Sequence, residues 1–195
     1  ETNISLLFPC DDLGAAIARI AGIFASPHEP NAAAILPQAI AAKVGIDVAG
    51  AMLAIIRLEG IDVSIADRAA HLLAAHKEGV MIDTNASTTL WQKIRDVDLL
   101  VDTDGDIWKL SCAPASAPAI IATLLDRFDM QFFADWAGGL LWLAGPSGVE
   151  FGTAMRSALA ANGSGHAQLI RDSGNSKAAI APLQPLSSAH YALHK

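Results

Sequence analysis

The sequence predicts an α+β fold built from a duplicated β-α-β-β-α-β unit. Three observations predict it. Short apolar runs bounded by Gly, Pro or Asp alternate with stretches whose apolar residues fall three and four apart. The same order of elements occurs twice, on either side of an acidic segment. Finally, Leu58-Glu59-Gly60 leads through a helical stretch to Gly79, and Leu143-Ala144-Gly145 leads through another to Gly165. The two gaps match within about one residue, as a structural repeat requires.

In the first half, Ile4 to Phe8 predicts a buried strand. Asp11 or Asp12 caps a helix that turns Leu13, Ile17, Ile20 and Phe24 to one side, and Pro27 and Pro30 end it. Ala32 to Leu36 is a weak strand, Gly45 to Gly50 a glycine-bounded turn, and Met52 to Leu58 a clear strand centred on Ile55 and Ile56. Ser64 and Asp67 have capping-box spacing for a helix carrying Ile65, Ala69, Leu72 and Leu73. Gly79 stops it, and Val80 to Asp83 begins another strand. Asn85 then caps a helix with Leu90, Trp91 and Ile94. The run from Asp96 to Asp106, with five aspartates, reads as a solvated loop between the halves.

The second half opens with a strand, Ile107 to Cys112. Ser116 and Pro118 start a helix that faces Ile120, Ile121, Leu124, Leu125 and Phe128 inward. Gln131 to Trp136 and Leu140 to Leu143 form a hairpin around Gly138-Gly139. Ser147 and Glu150 form a capping box for a helix that buries Phe151, Met155 and Leu159 and ends at Asn162-Gly163. His166 to Ile170 is the last strand; beyond Asp172 the chain is Ser/Pro/Ala-rich. Each half thus spells a ferredoxin-like split βαβ, in units of about 1–84 and 106–172. Two such units can join edges into one wide antiparallel sheet with helices on one face, leaving the other face for something else to cover.

Bulk properties bound the function. A chain of 195 residues suits one domain, or two small units sharing a core. Hydrophobic residues make up 52% of it and mean hydropathy is +0.37, ample for a sizeable core. Charged residues are only 17%. Two readings of that low value stand level: a face kept for a partner, or a general alanine bias. The formal net charge of −7 repels phosphate, and no Lys/Arg run opposes it, so nucleic acid is an unsuited ligand. No apolar run approaches the roughly 20 residues a membrane span needs, and the start has no basic n-region of a signal peptide. Glu1 in place of an initiator Met predicts that the chain begins inside a longer gene product. Cys10 and Cys112 read as two buried thiols in a reducing compartment, with no disulfide-framework or Cys-x-x-Cys spacing.

Most catalytic motifs are absent. There is no Gly-x-Gly-x-x-Gly, Walker A loop, nucleophile elbow or His-Glu-x-x-His. His190 and His194 are four apart but have no third ligand in sight, and His71 and His76 fall on an amphipathic helix as surface histidines, so no metal is expected. The cluster that stands out is Asp135-Trp136-Ala137-Gly138-Gly139-Leu140-Leu141-Trp142, with His166 opening the adjacent strand and Arg171 closing it. The plainer reading makes the tryptophans core and Asp135 a turn acceptor. The functional reading lets His166, Arg171 and the aromatics line a pocket for a small carboxylate on an uncovered sheet face. Arg57, among apolar residues, needs Glu59 or an incoming anion as its partner.

Five stretches in order carry a resemblance: Ile56-Arg57-Leu58-Glu59-Gly60, Trp91 to Val97, Ile107-Trp108-Lys109-Leu110-Ser111, Asp135 to Leu143, and Gly165 to Arg171. Together they resemble the C-terminal half of the small FAD-binding subunit of bacterial glycolate oxidase, of the FAD-linked oxidases of vanillyl-alcohol oxidase type. The resemblance spans nearly the whole chain. It departs at Lys109, where relatives often have Arg, and at Ala137, where they often have Gly; the family's glycine-rich FAD-binding half and closing Asn-Pro-Gly segment are not in this sequence.

The resemblance implies a C-terminal cap domain that covers the flavin and shapes the site for a 2-hydroxy acid such as glycolate, and that is inactive without its FAD-binding half. Residue type and strand position, within that reading, make His166 the catalytic residue that bonds substrate or flavin. Arg57, Arg171 and Asp135 would bind substrate, and Trp136 and Trp142 would pack beside the cofactor. FAD belongs to the full-length protein and is not expected tightly bound to this piece, which offers its phosphates no cradle. The implied partners are the FAD-binding domain of the same polypeptide and the flavin and iron-sulphur subunits of the oxidase. The location is the cytoplasm, or the surface of the inner membrane through such a complex. The alternative is a non-enzymatic ferredoxin-like module that binds a small ligand or forms a homodimer through its open sheet face. A third reading, an independent hydrolase, has no visible nucleophile–base pair behind it.

Overall fold

The computed structural model describes residues 2–47, 49–174 and 180–183. The first unit runs β1 (Thr2–Cys10), α1 (Leu13–Phe24), β2 (Ala32–Pro37), α2 (Gln38–Lys43), β3 (Met52–Gly60), α3 (Asp62–Ala75) and β4 (Val80–Ile82). Helix α4 (Thr84–Arg95) and a 3-10 turn at Asp98–Leu100 lead to the second unit. That unit is β5 (Asp106–Cys112), α5 (Ala117–Leu125), β6 (Gln131–Asp135), β7 (Leu140–Gly145), α6 (Val149–Ala161) and β8 (Gly165–Arg171).

The eight strands form one sheet in the order β4-β1-β3-β2-β6-β7-β5-β8, with every pairing antiparallel. Each half is a split βαβ, and the two halves meet as reversed copies. The seam is the pairing of β2 with β6, registered at Ile35 opposite Ala134.

The long helices α1, α3, α5 and α6 cover one face of this sheet. Ile20, Ile65, Leu72, Ile121 and Met155 pack there against Phe8, Ile56, Trp108 and Leu143. Phe128 meets Phe151 edge-on at 5.1 Å, closing the core between α5 and α6. The opposite face is covered only in part. Leu90, Trp91 and Ile94 of α4, Ile40 of α2, and Leu99 and Leu100 pack onto Leu7, Leu53, Ile55 and Phe133. Strands β1 and β3 are therefore buried on both sides and read as near-continuous apolar runs, as doubly covered strands do. Two buried serines fasten α4 to the sheet. The Trp91 indole Nε1 donates to Ser5 Oγ at 2.8 Å, and Ser5 Oγ meets Ser87 Oγ at 2.8 Å.

Several local expectations change. Helix α1 buries Leu13, Ala16, Ile20 and Ile23, while Phe24, its last residue, is exposed. Helix α3 begins at Asp62, so Ser64 and Asp67 fall inside it and cap nothing. Helix α4 is capped by Asp83, whose Oδ1 accepts from Ala86 N at 2.9 Å, and not by Asn85. Leu125 lies on the solvent side of α5, and Ser116 donates to the Asn162 carbonyl at 2.7 Å instead of capping. Helix α2 occupies a stretch for which no element was expected, between the strand and the turn at residues 45–50, and β6 stops at Asp135, one residue early.

The Ser147–Glu150 capping box also fails, for a tertiary reason. Helix α6 starts with Gly148 as its N-cap residue and no cap from its own side chains. An acceptor comes instead from Asp106 at the start of β5. This carboxylate is fully buried; its Oδ2 accepts from Gly148 N at 3.3 Å, and its Oδ1 accepts from Ser173 N at 2.9 Å and Ser173 Oγ at 2.8 Å. The acidic segment is not simply solvated either. Lys43 Nζ draws it inward by donating to the Leu99 carbonyl at 3.1 Å, Asp102 Oδ1 at 2.8 Å and Gln131 Oε1 at 2.8 Å. No helix among the described residues is long and apolar enough to cross a membrane.

Replacing Asp106 with Ala leaves three donors without this acceptor, Gly148 N, Ser173 N and Ser173 Oγ. The expected loss is about 2–3 kcal/mol, read as a lower urea midpoint at unchanged m-value.

Candidate functional site

Strand β8 alternates. Ala167 and Leu169 are buried under the helices, while His166, Gln168 and Ile170 stand exposed on the far side. Strand β5 does the same, with Trp108 and Leu110 buried and Lys109 and Ser111 on the far side. Period-two alternation of this kind marks a sheet packed on one side only. The far face over β7, β5 and β8 is thus the part of the sheet that α4 and α2 leave open.

Register fixes what meets there. One cross-strand row reads Asp135, Leu140, Ser111, His166; the next reads Phe133, Trp142, Lys109, Gln168. Adjacent strands lie about 4.8 Å apart, so the backbones of Asp135 and His166 are roughly 14 Å apart across three spacings. The Phe133 and Trp142 rings stack at 6.4 Å, and Lys109 Nζ lies 5.7 Å from the centre of the Trp142 ring. Among the described residues Lys109 has no carboxylate within ion-pair distance. A lysine, a serine, a histidine and a glutamine beside an indole form a surface that can donate hydrogen bonds and positive charge to a small anion.

The sequence candidates divide between several places. His166 and Trp142 share the open face. Asp135 ends one of its rows and faces a cavity at the seam, with Trp136 on the rim. Arg57 shares the face but lies on β3, five strands from β8, or about 24 Å. It is already engaged: its guanidinium pairs with Glu59 at 2.8 Å and lies 5.9 Å from the Trp91 ring centre. Arg171 is also occupied. It donates to the carbonyls of Val101 at 3.0 Å and Gly105 at 3.0 Å, to Thr103 Oγ1 at 3.0 Å and to the Thr103 carbonyl. It ties the acidic segment to the sheet edge.

Lys109, Ser111 and Gln168 are the open-face residues that sequence reading missed. Their signal was present, as polar residues alternating with Trp108, Leu110, Ala167 and Leu169. Trp91, Phe24 and Asn31 at the seam had none, because tertiary packing alone brings them there.

Asp135 is half-buried; burial raises its pKa above the ordinary carboxylate value, partly offset by the bond that its Oδ1 accepts from Trp136 N at 2.8 Å. Burial likewise raises both thiols, with Arg19 pulling Cys10 partly back, and the two cysteines are not joined. Among the described residues no group of three or more His, Cys, Asp or Glu could hold a metal. His71 is exposed and bonds the Asp67 carbonyl at 2.9 Å, while His76 meets Phe8 edge-on. His190 and His194 lie outside the described residues. No protein-family model matches the chain, and neither does any curated protein.

Two outcomes follow. A carboxyl whose folded pKa is raised favours folding while protonated and loses that contribution as pH rises through the folded value. Ionised Asp135 therefore costs stability near neutrality, and Asp135→Asn raises the melting temperature at pH 7, by an amount that shrinks as pH falls through the raised folded value and is smallest below about 4. The check is a set of thermal melts across that range. For the thiols, a disulfide reagent at pH 8 modifies Cys10 and Cys112 about tenfold slower than a free cysteine, and the full rate returns in urea.

Proposed function

We propose that the chain is the cap, or substrate, domain of an FAD-dependent 2-hydroxy-acid oxidase or dehydrogenase of the glycolate type. The observation that carries the reading is the doubled ferredoxin-like sheet, backed by helices and, among the described residues, uncovered over β7, β5 and β8, where Trp142, Lys109, Ser111 and His166 stand together. The sequence resemblance supports it independently, because three of its five stretches are β5, the β6–β7 hairpin and β8.

The residues present fit part of the cofactor. The open face offers an aromatic surface and donors for a ring and a carboxylate. The diphosphate needs backbone donors from a separate FAD-binding domain of the same polypeptide. When bound there, FAD takes the two electrons released as the hydroxy acid loses its C2 hydrogen and hydroxyl proton. On this chain, His166 bonds the hydroxyl or the flavin edge, and Trp142 packs beside the ring. Lys109 replaces Arg57 and Arg171 as the partner of the substrate carboxylate, since both arginines are already bound to groups of the protein. The electrons then leave to flavin and iron-sulphur partner subunits, in the cytoplasm.

The coding region that contains Glu1 to Lys195 is expected to specify a glycine-rich FAD-binding stretch upstream, and the complete polypeptide to be yellow and bleached by glycolate. Within that enzyme, Lys109→Gln raises KM for glycolate about tenfold with kcat held within about threefold, and Lys109→Arg restores it. Stoichiometric FAD binding by residues 1–195 alone at low micromolar flavin would overturn the reading.

A further inference from the structure

Where β2 begins and β6 ends, a cavity of about 440 Å³ opens between the two units, lined by Phe24, Asn31, Trp91, Asp135, Trp136 and small alanines. Its volume is in the range of small-molecule sites. Phe24 is 45% exposed and Trp136 is 69% exposed, so the rim presents two large rings to solvent. Trp91 is almost wholly buried in the α4 core and is part of the wall.

Among the described residues, the only charged side chain in the lining is the Asp135 carboxylate. Its Oδ1 accepts from the backbone N–H of the next residue, Trp136, and among the described residues no cation pairs with it. An anion is repelled here, and a neutral apolar guest would leave the carboxylate desolvated with nothing in return. A cation satisfies both kinds of wall at once, pairing with the carboxylate and lying against aromatic faces. The Trp91 ring already carries the Arg57 guanidinium 5.9 Å from its centre, so the rings left to lie against a guest are the exposed ones of the rim, Trp136 and Phe24.

The backbone adds an independent observation. Trp136 and Ala137 are consecutive non-glycine residues in the left-handed region, at φ 50° and 55°. Such conformations cost stability and persist where the surroundings impose them, often at binding sites. Here the strain is not repaid by burying the indole, which stays in solvent. Gly138, at φ 95°, completes the turn; a Cβ there would lie 2.9 Å from Ile17, so the turn is pressed against α1 and held in place.

We propose that this seam cavity binds an organic cation, an alkylammonium or guanidinium group, held by Asp135 and enclosed by Trp136, Trp91 and Phe24. The site is separate from the open face and does not depend on the oxidoreductase reading. The cationic group comes either from a free small amine or from a Lys or Arg side chain of a partner protein.

The experiment titrates the chain with choline and with methylguanidinium, following the indole Nε1–H signals of Trp91 and Trp136 by NMR at constant ionic strength. Saturable shifts at both indoles are expected below about 20 mM ligand. Choline's neutral isostere, 3,3-dimethylbutanol, should move neither at that concentration. Asp135→Asn, which is expected to fold at least as stably as the native chain, should weaken binding about tenfold or more. Trp136→Ala should weaken it in the same direction. Shifts that do not saturate, an equal response to 3,3-dimethylbutanol, or unchanged affinity in Asp135→Asn would each overturn the proposal. Acetylated lysine amide and acetylated arginine amide separate the two sources. Tighter binding of either than of choline and methylguanidinium assigns the cavity to a partner's side chain, and the reverse order assigns it to a free amine.

Discussion

The fold depends on joining two sheet edges. In each half, the strand that follows the first helix lies at the edge of its four-stranded sheet and would leave a row of N–H and C=O groups without partners. Antiparallel pairing of β2 with β6, registered at Ile35 opposite Ala134, joins the two edges and lets the helices of the two units share one core. The joint is short, because β6 ends at Asp135 and turns away through Trp136–Gly138 while β2 is still approaching. Lys43 braces it at the other end, reaching from α2 to Gln131 on β6. The cavity beside Asp135 is a geometric consequence of two twisted half-sheets that pair over only part of their length.

The two units share a topology but not a covering. In the first, α4 lies on the second face, and its buried polar contacts are satisfied internally through Trp91, Ser5 and Ser87. In the second, nothing among the described residues occupies the corresponding place, and β8 keeps its polar alternate residues. Duplication thus supplied one platform that is closed and one that is open. The open one presents Lys109, Ser111, His166 and Gln168, whereas the closed one lies under α4.

Most of the cations with inward contacts are committed to structure. Arg68 gathers the carbonyls of His28, Glu29 and Glu59, and Arg171 gathers those of Val101 and Gly105. These arginines hold loops against strand ends with charge-assisted bonds, for which the planar guanidinium is suited. In a chain with 13 Lys and Arg against 20 Asp and Glu, such commitments leave few charges for ligands. Lys109 and Asp135 each lack an opposite charge within ion-pair distance among the described residues, and they face different places: the open sheet and the seam cavity.

The sequence by itself determined the order of elements, the doubling, and the inward residues of α6, Phe151, Met155 and Leu159. These follow from local periodicity, which the backbone geometry of helices and strands imposes on neighbours in the chain. It also held the alternation of β5 and β8 that separates Lys109 and His166 from the core. Only the tertiary structure decided which sheet face α4 covers, that Asp106 serves the start of α6 from more than forty positions away, and that Arg57 and Arg171 are engaged while Lys109 is not. Arg171 and Lys109 look alike in a sequence, since a charged side chain's partner is set by strand register and loop path. Those depend on contacts between residues far apart in the chain, which local spacing does not encode.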